Sequence, residues 1–148
     1  MKRIPVVAAV MMAVLLSACT TMRSTVSYVS PELTPLDAQL LAADSASHLS
    51  GALPAAKTTL VLDPPAGGDR LTPAMMTKLR DAGFGVVEAK NGDQQVQGVA
   101  LRYLASPLEN GVVLRLQYEG VEASRFYPRT ASGALASASP FTVREPKQ

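Results

Sequence analysis

The sequence predicts an α+β fold, with two helices packed on one face of a small, mostly antiparallel sheet, in the order αβαβ and then a β-meander. Three observations predict it. Helix-start and helix-stop signals bracket two segments, beginning at Thr34-Pro35 and at Thr72-Pro73. Each is followed by a short β-branched or apolar run, Thr58 to Leu62 and Phe84 to Glu88. From Val99 onward the apolar period changes from helical to alternating. Strands and helices of this kind build one two-layer domain over residues 34–148, preceded by a signal peptide at 1–18 and an anchor and flexible tether at 19–33.

The N-terminus sets the protein's address. Met1-Lys2-Arg3 is a positive start, Ile4 to Leu16 is uncharged and mostly apolar, and Ser17 and Ala18 are small residues before Cys19. As a helix, the run Ile4 to Leu16 spans only ~20 Å against a hydrocarbon core of ~30 Å, so it reads as a cleaved signal and not as a membrane span. Leu16-Ser17-Ala18-Cys19 resembles the lipobox of bacterial lipoproteins, in which the peptidase recognises Leu16, Ser17 and Ala18 and the cysteine carries the lipid. A buried free thiol is the alternative for a single cysteine. Several acyl chains on Cys19 would hold a membrane stably, at ~0.8 kcal/mol per buried methylene. Thr20 stands where an Asp would resemble an inner-membrane retention signal, so the expected site is the outer membrane, with the domain facing the periplasm. Residues 20–33 are rich in Ser and Thr and could extend ~45 Å.

Thr34 and Pro35 provide the N-cap and first turn of the first helix. Leu36, Leu40, Ala43 and Ser47 form one stripe along it, with Leu41, Ser45, His48 and Leu49 beside them, and Gly51 and Pro54 mark its end. The strand Thr58 to Leu62 runs into Asp63-Pro64-Pro65 and a Gly67-Gly68 loop. In the second helix Thr72 is the expected cap, Leu71 can staple onto Met76, Met75, Leu79 and Ala82 face the core, and Gly83 ends it. After a polar loop at 90–95, Val99, Leu101 and Tyr103 share a strand face, as do Val112, Leu114, Leu116 and Tyr118. Asn110-Gly111 and Glu119-Gly120 are turn signals between these strands, and Phe141 to Arg144 is a candidate closing strand.

Composition narrows the function. Cleavage before Cys19 removes Lys2 and Arg3, leaving 12 basic and 12 acidic side chains and a formal charge of zero, so no nucleic-acid footprint remains. The single cysteine, once lipidated, leaves no disulfide. His48 has Asp44 one turn earlier, but no second histidine, cysteine pair or carboxylate cluster gives it ligand or catalytic company. Ser50-Gly51 and Ser132-Gly133 lack the flanks of a nucleophile elbow, and the Gly67-Gly68 and Gly83-Phe84-Gly85 pairs lack phosphate-loop spacing. The expectation is a protein that is no enzyme and holds no cofactor beyond the lipid on Cys19. Arg102, Arg115, Arg125, Arg129 and Arg144 lie on or beside strands and read as a solvated sheet face, or as a protein-binding surface with Arg125, Phe126 and Tyr127 at its centre.

Leu41-Ala42-Ala43-Asp44, Pro54-Ala55-Ala56-Lys57-Thr58, Leu79-Arg80-Asp81-Ala82-Gly83-Phe84, Leu101-Arg102-Tyr103 and Phe141-Thr142-Val143-Arg144-Glu145 together resemble the TrbH lipoproteins of conjugative plasmid transfer. The resemblance covers nearly the whole chain through order and spacing; no single motif is chemically distinctive. It implies an outer-membrane lipoprotein of a mating-pair formation (type IV secretion) apparatus. Its partners would be other subunits of a ring-shaped channel core, and its one functional residue of defined chemistry Cys19. A surface lipoprotein that excludes a second mating pair is the alternative from another class, and an envelope hydrolase or ligand-binding domain is a third.

Overall fold

The computed structural model describes residues 26–89 and 96–146. Along these run β1 (Tyr28–Val29), α1 (Pro35–Ala52), a 3-10 turn (Ala55–Lys57), β2 (Thr59–Leu62) and α2 (Leu71–Asp81). They are followed by β3 (Gly85–Glu88), β4 (Val99–Pro107), β5 (Gly111–Tyr118), β6 (Val121–Pro128) and β7 (Thr142–Arg144). The strands form one seven-stranded sheet in the order β3-β2-β4-β5-β6-β7, with β1 also bonded to β4. The predicted α+β class holds. β4 to β7 are the expected antiparallel meander, while β1, β2 and β3 add a parallel part. The signal peptide, Cys19, Thr20 and the polar loop at 90–95 lie outside the described residues.

Alternation divides the sheet into two unlike faces. Leu101, Tyr103 and Ala105 of β4 lie level with Leu114 and Leu116 of β5 and with Ala123 and Tyr127 of β6, and all are buried. Leu41, Ala42 and Leu49 of α1 and Met75 and Leu79 of α2 complete that core. The residues between them, Arg102, Leu104, Val113, Arg115, Gln117, Glu122 and Phe126, belong to the opposite face. Both helices therefore cover one side of the sheet, as the sequence predicts.

The face that α1 buries differs from the predicted stripe. Ala38, Leu41, Ala42, Ser45, Ala46 and Leu49 are buried, whereas Leu36 is 81% exposed and Ser47 is exposed. Small residues decide this: Ala38, Ala42, Ala46 and Ser45 let the helix approach its neighbours closely, and Ser45 spends its hydroxyl on the Leu41 carbonyl at 2.7 Å. The N-terminus is the expected capping box. Asp37 N–H donates to Thr34 Oγ1 at 3.1 Å, and Thr34 N–H donates to Asp37 Oδ2 at 3.0 Å. The helix runs through Gly51 to Ala52, with Leu53 as its C-cap, so Gly51 is a helical residue and not the stop.

In α2 the expected cap Thr72 lies inside the first turn and is buried. Asp69 takes the capping role, accepting the Thr72 N–H at 2.7 Å, which frees the Thr72 hydroxyl to join Asp69 and Tyr103 in a buried polar link between helix and β4.

The largest correction concerns the tether. Its C-terminal part is built into the sheet: Tyr28 and Val29 pair in parallel with Leu104 and Ala105, Tyr103 N–H donates to Ser27 Oγ at 3.1 Å, and Ser30 N–H donates to the Ala105 carbonyl at 2.9 Å. Leu33 is 1% exposed, and the Arg70 guanidinium donates to the carbonyls of Pro31 and Leu33 at 3.1 and 2.7 Å. A strand of two residues is too short to show alternation, so the Ser-rich composition outweighed the buried Val29 and Leu33.

Both hairpins turn where predicted, the second with the expected residues and the first with a different one. Glu119 and Gly120 both have positive φ, 46° and 77°, as a two-residue type I′ turn between Tyr118 and Val121 requires. At the other hairpin Glu109 carries the positive φ of 49°, and Gly111 is the first residue of β5. Glycine is needed there for space, because a Cβ would lie 2.4 Å from the Tyr127 carbonyl oxygen and 2.7 Å from the Phe126 ring. Gly111→Ala should therefore destabilise the protein by about 1–3 kcal/mol, whereas Gly51→Ala, with open space around it and helical backbone, should stabilise by about 0.5 kcal/mol. Urea denaturation of both variants checks the opposite signs.

Candidate functional site

The densest cluster of ionisable and aromatic side chains forms where the second half of α1 meets β6, β7 and the segment between them. Helical spacing puts Asp44 and His48 on one side of α1, one turn apart. Arg125 lies on the helix-facing side of β6, level with Leu114, and its Nη1 donates to Asp44 Oδ2 at 2.9 Å. Ser137 Oγ donates to the same oxygen at 2.8 Å. The Arg125 guanidinium also lies over two rings, 5.2 Å from the centre of Tyr127 and 5.5 Å from that of Phe141. Phe141 in turn stacks at a tilt on His48, with ring centres 4.5 Å apart, and His48 Nε2 is 2.9 Å from the Tyr118 hydroxyl. An open groove of about 360 Å³ runs along these groups, lined by Asp44, Ser47, His48, Arg125, Pro140, Phe141 and Val143.

Electrostatics there follow from partial burial. Burial lowers the His48 pKa below the ordinary imidazole value, so the ring is held neutral and able to accept from Tyr118. Burial also raises the Tyr127 phenol well above its usual range, with the Asp44 charge adding to it. The Tyr127 hydroxyl and Arg125 Nε have no hydrogen-bond partner among the described residues. The Asp44 carboxylate is engaged by Arg125 and Ser137, which ties the segment before β7 to α1. Asp44 is thus paired with Arg125 and Ser137, and His48 with Tyr118, within the fold. Among the described residues no group of three or more His, Cys, Asp or Glu could hold a metal ion.

A second ion pair fastens the first turn of α1. Arg129 meets the Asp37 carboxylate with Nη1–Oδ1 at 3.3 Å and Nη2–Oδ2 at 2.9 Å, a bidentate contact onto the same residue that completes the capping box. Burial alone would raise the Asp37 pKa. The hydrogen bonds from Arg129 and Thr34 outweigh it and hold the carboxyl below the ordinary value, while Asp37 raises the Arg129 pKa.

Strand alternation divides the three residues predicted as an interface. Arg125 and Tyr127 face the helices, Tyr127 being fully buried, and Phe126 lies half-buried on the open face. Arg102, Arg115 and Arg144 share that open face, where Arg102 pairs with Asp63 at 3.6 Å and Arg115 with Glu122 at 3.5 Å. His48, read from the sequence as structural or solvated, is half-buried and bonded to Tyr118. Sequence reading missed the partners of Asp37 and Asp44, which lie 92 and 81 residues away. The one available signal was the presence of Arg125 within β6 and Arg129 just past its end, at odd positions in phase with buried Ala123 and Tyr127.

The family model for the conjugal transfer protein TrbH matches residues 20–146. The chain belongs to this family of conjugal transfer proteins. No curated protein and no solved structure matches it significantly. Among the described residues no helix is long and apolar enough to cross a membrane.

Two outcomes follow from the α1 ion pairs and His48. Asp44→Ala leaves a partly buried arginine unpaired and should cost about 2 kcal/mol, and the double variant Asp44→Ala/Arg125→Met should cost less than the sum of the two single changes. A urea double-mutant cycle measures this. His48 resists a proton that the unfolded chain accepts, so its contribution to stability is complete above the unfolded pKa near 6.5 and declines as pH falls from there through the lower folded value. The His48 ring protons should titrate below pH 6.5 by NMR, and His48→Phe should remove this part of the pH dependence.

Proposed function

We propose that this TrbH-family chain is an outer-membrane lipoprotein of a conjugative type IV secretion apparatus, attached through lipid on Cys19 and serving assembly of the mating-pair channel. The single observation that carries the reading is the family match over residues 20–146, which begins one residue after the lipobox cysteine. The conjugal transfer family supplies the process. The lipobox Leu16-Ser17-Ala18-Cys19, with Thr20 following, supplies attachment and sorting to the outer membrane. A neutral mature chain supports protein partners over nucleic acid, and the other subunits of a ring-shaped channel core are those partners. The pairing of Asp44 with Arg125 and of His48 with Tyr118, which ties α1 to the sheet, supports a structural role over an enzymatic one.

Deletion of the gene from a conjugative element should abolish or strongly reduce plasmid transfer and pilus assembly, and unchanged transfer would sink the reading. Reduced uptake by recipients that express only this protein would favour exclusion of a second mating pair instead. Cys19→Ser should lose all palmitate labelling and most transfer, with the protein shifted from the membrane to the soluble periplasmic fraction.

A further inference from the structure

We propose that the open face of the sheet is the membrane-facing surface of the protein, lying against the phospholipid headgroups of the bilayer that holds its lipid. This rests on the lipidation of Cys19 proposed above and goes beyond it by assigning an orientation and a contact surface.

The chain reaches the domain on that face. Val26 lines a small cavity with Arg102, Leu104, Arg115 and Gln117, whose side chains belong to the side of the sheet away from the helices. The seven residue steps from Cys19 to Val26 span at most ~25 Å when fully extended, about half of what a tether ending at Leu33 would allow. A lipid-bearing Cys19 sits at the headgroups. The edge of the open face next to Val26 is thus held within ~25 Å of them, and a folded domain of ~30 Å does not fit between.

The chemistry of the face suits a headgroup layer. Val26 is 61% and Tyr28 47% exposed at the edge where the chain arrives, and half-buried Leu104, Val113 and Phe126 continue the apolar surface across the sheet. Arg102, Arg115 and Arg144 add long stems with cationic heads, and aromatic and arginine side chains are the pair that partition between acyl chains and water. Two of these arginines already have carboxylate partners, Asp63 and Glu122, so the contact is not driven by anionic lipid. It persists on zwitterionic bilayers.

The test uses the lipidated mature protein in phosphatidylcholine vesicles that carry nitroxide on the headgroup. Because Cys19 is the only native cysteine and its sulfur is alkylated, an introduced cysteine is the only free thiol for a fluorophore. Thr142→Cys places the dye on the open face at β7, four strand spacings or ~19 Å across the sheet from β1, so its quenching requires the face to lie flat. Gln39→Cys places it on the exposed side of α1. The expected result is several-fold stronger quenching at position 142 than at 39. Equal quenching, or stronger quenching at 39, overturns the proposal. Intact mass separates the two levels: a lipidated mass with equal quenching rejects the orientation alone, and a mass without lipid rejects the attachment and the orientation with it.

Discussion

Strand β4 is the member on which the rest of the molecule depends. Its nine residues are longer than any neighbour on one edge can cover, and two short strands share that edge end to end. β2 pairs with Val99 to Leu101, and β1 pairs with Leu104 and Ala105. Its other edge is filled by β5 over six paired residues. A backbone edge left unpaired inside a domain costs several hydrogen bonds, and here it recruits whatever extended chain lies nearby. That demand draws residues 27–30 out of the Ser-rich leader and makes them part of the fold. It also joins the parallel βαβ portion, β2-α2-β3, to the antiparallel meander as one sheet.

Helix α1 is fastened across this sheet at its first turn and near its middle by arginines of the β6 region. Arg129 grips Asp37 in the first turn, and Arg125 grips Asp44 two turns later. Removing charge from water is expensive, so neither pair by itself makes the fold stable; what they do is specify where α1 lies. Between them the packing is by small residues, and a helix of mostly Ala and Ser on that face could slide without such fixed points. The aromatic groups His48, Phe141 and Tyr118 extend the same fastening to the C-terminal strand, which the meander alone would hold by only three paired residues.

The two faces of the sheet are therefore set to different uses. One is saturated by helices and by internally matched charge. The other is bare and carries the point where the chain arrives from Cys19. Under the attachment proposed for Cys19, a tether shortened by half would turn the lipid from a loose mooring into a restraint on distance.

Much of the architecture is legible in the residues alone. Capping signals at Thr34-Pro35, alternation from Val99 and the Glu119-Gly120 turn are local patterns, each complete within a few residues, and local sterics and hydrogen bonding suffice to read them. The family, too, was visible in the order of such segments. Tertiary structure alone decided which stripe of α1 is buried, that Thr72 yields its cap to Asp69, that Tyr28 and Val29 form a strand, and that Arg125 and Tyr127 turn away from Phe126. Each of these depends on a partner many residues distant: a close helix approach, a free strand edge, or a carboxylate on another element. Pairings of that kind leave no period in the sequence, because the physical cause lies in what the folded chain brings together and not in the spacing of the residues themselves.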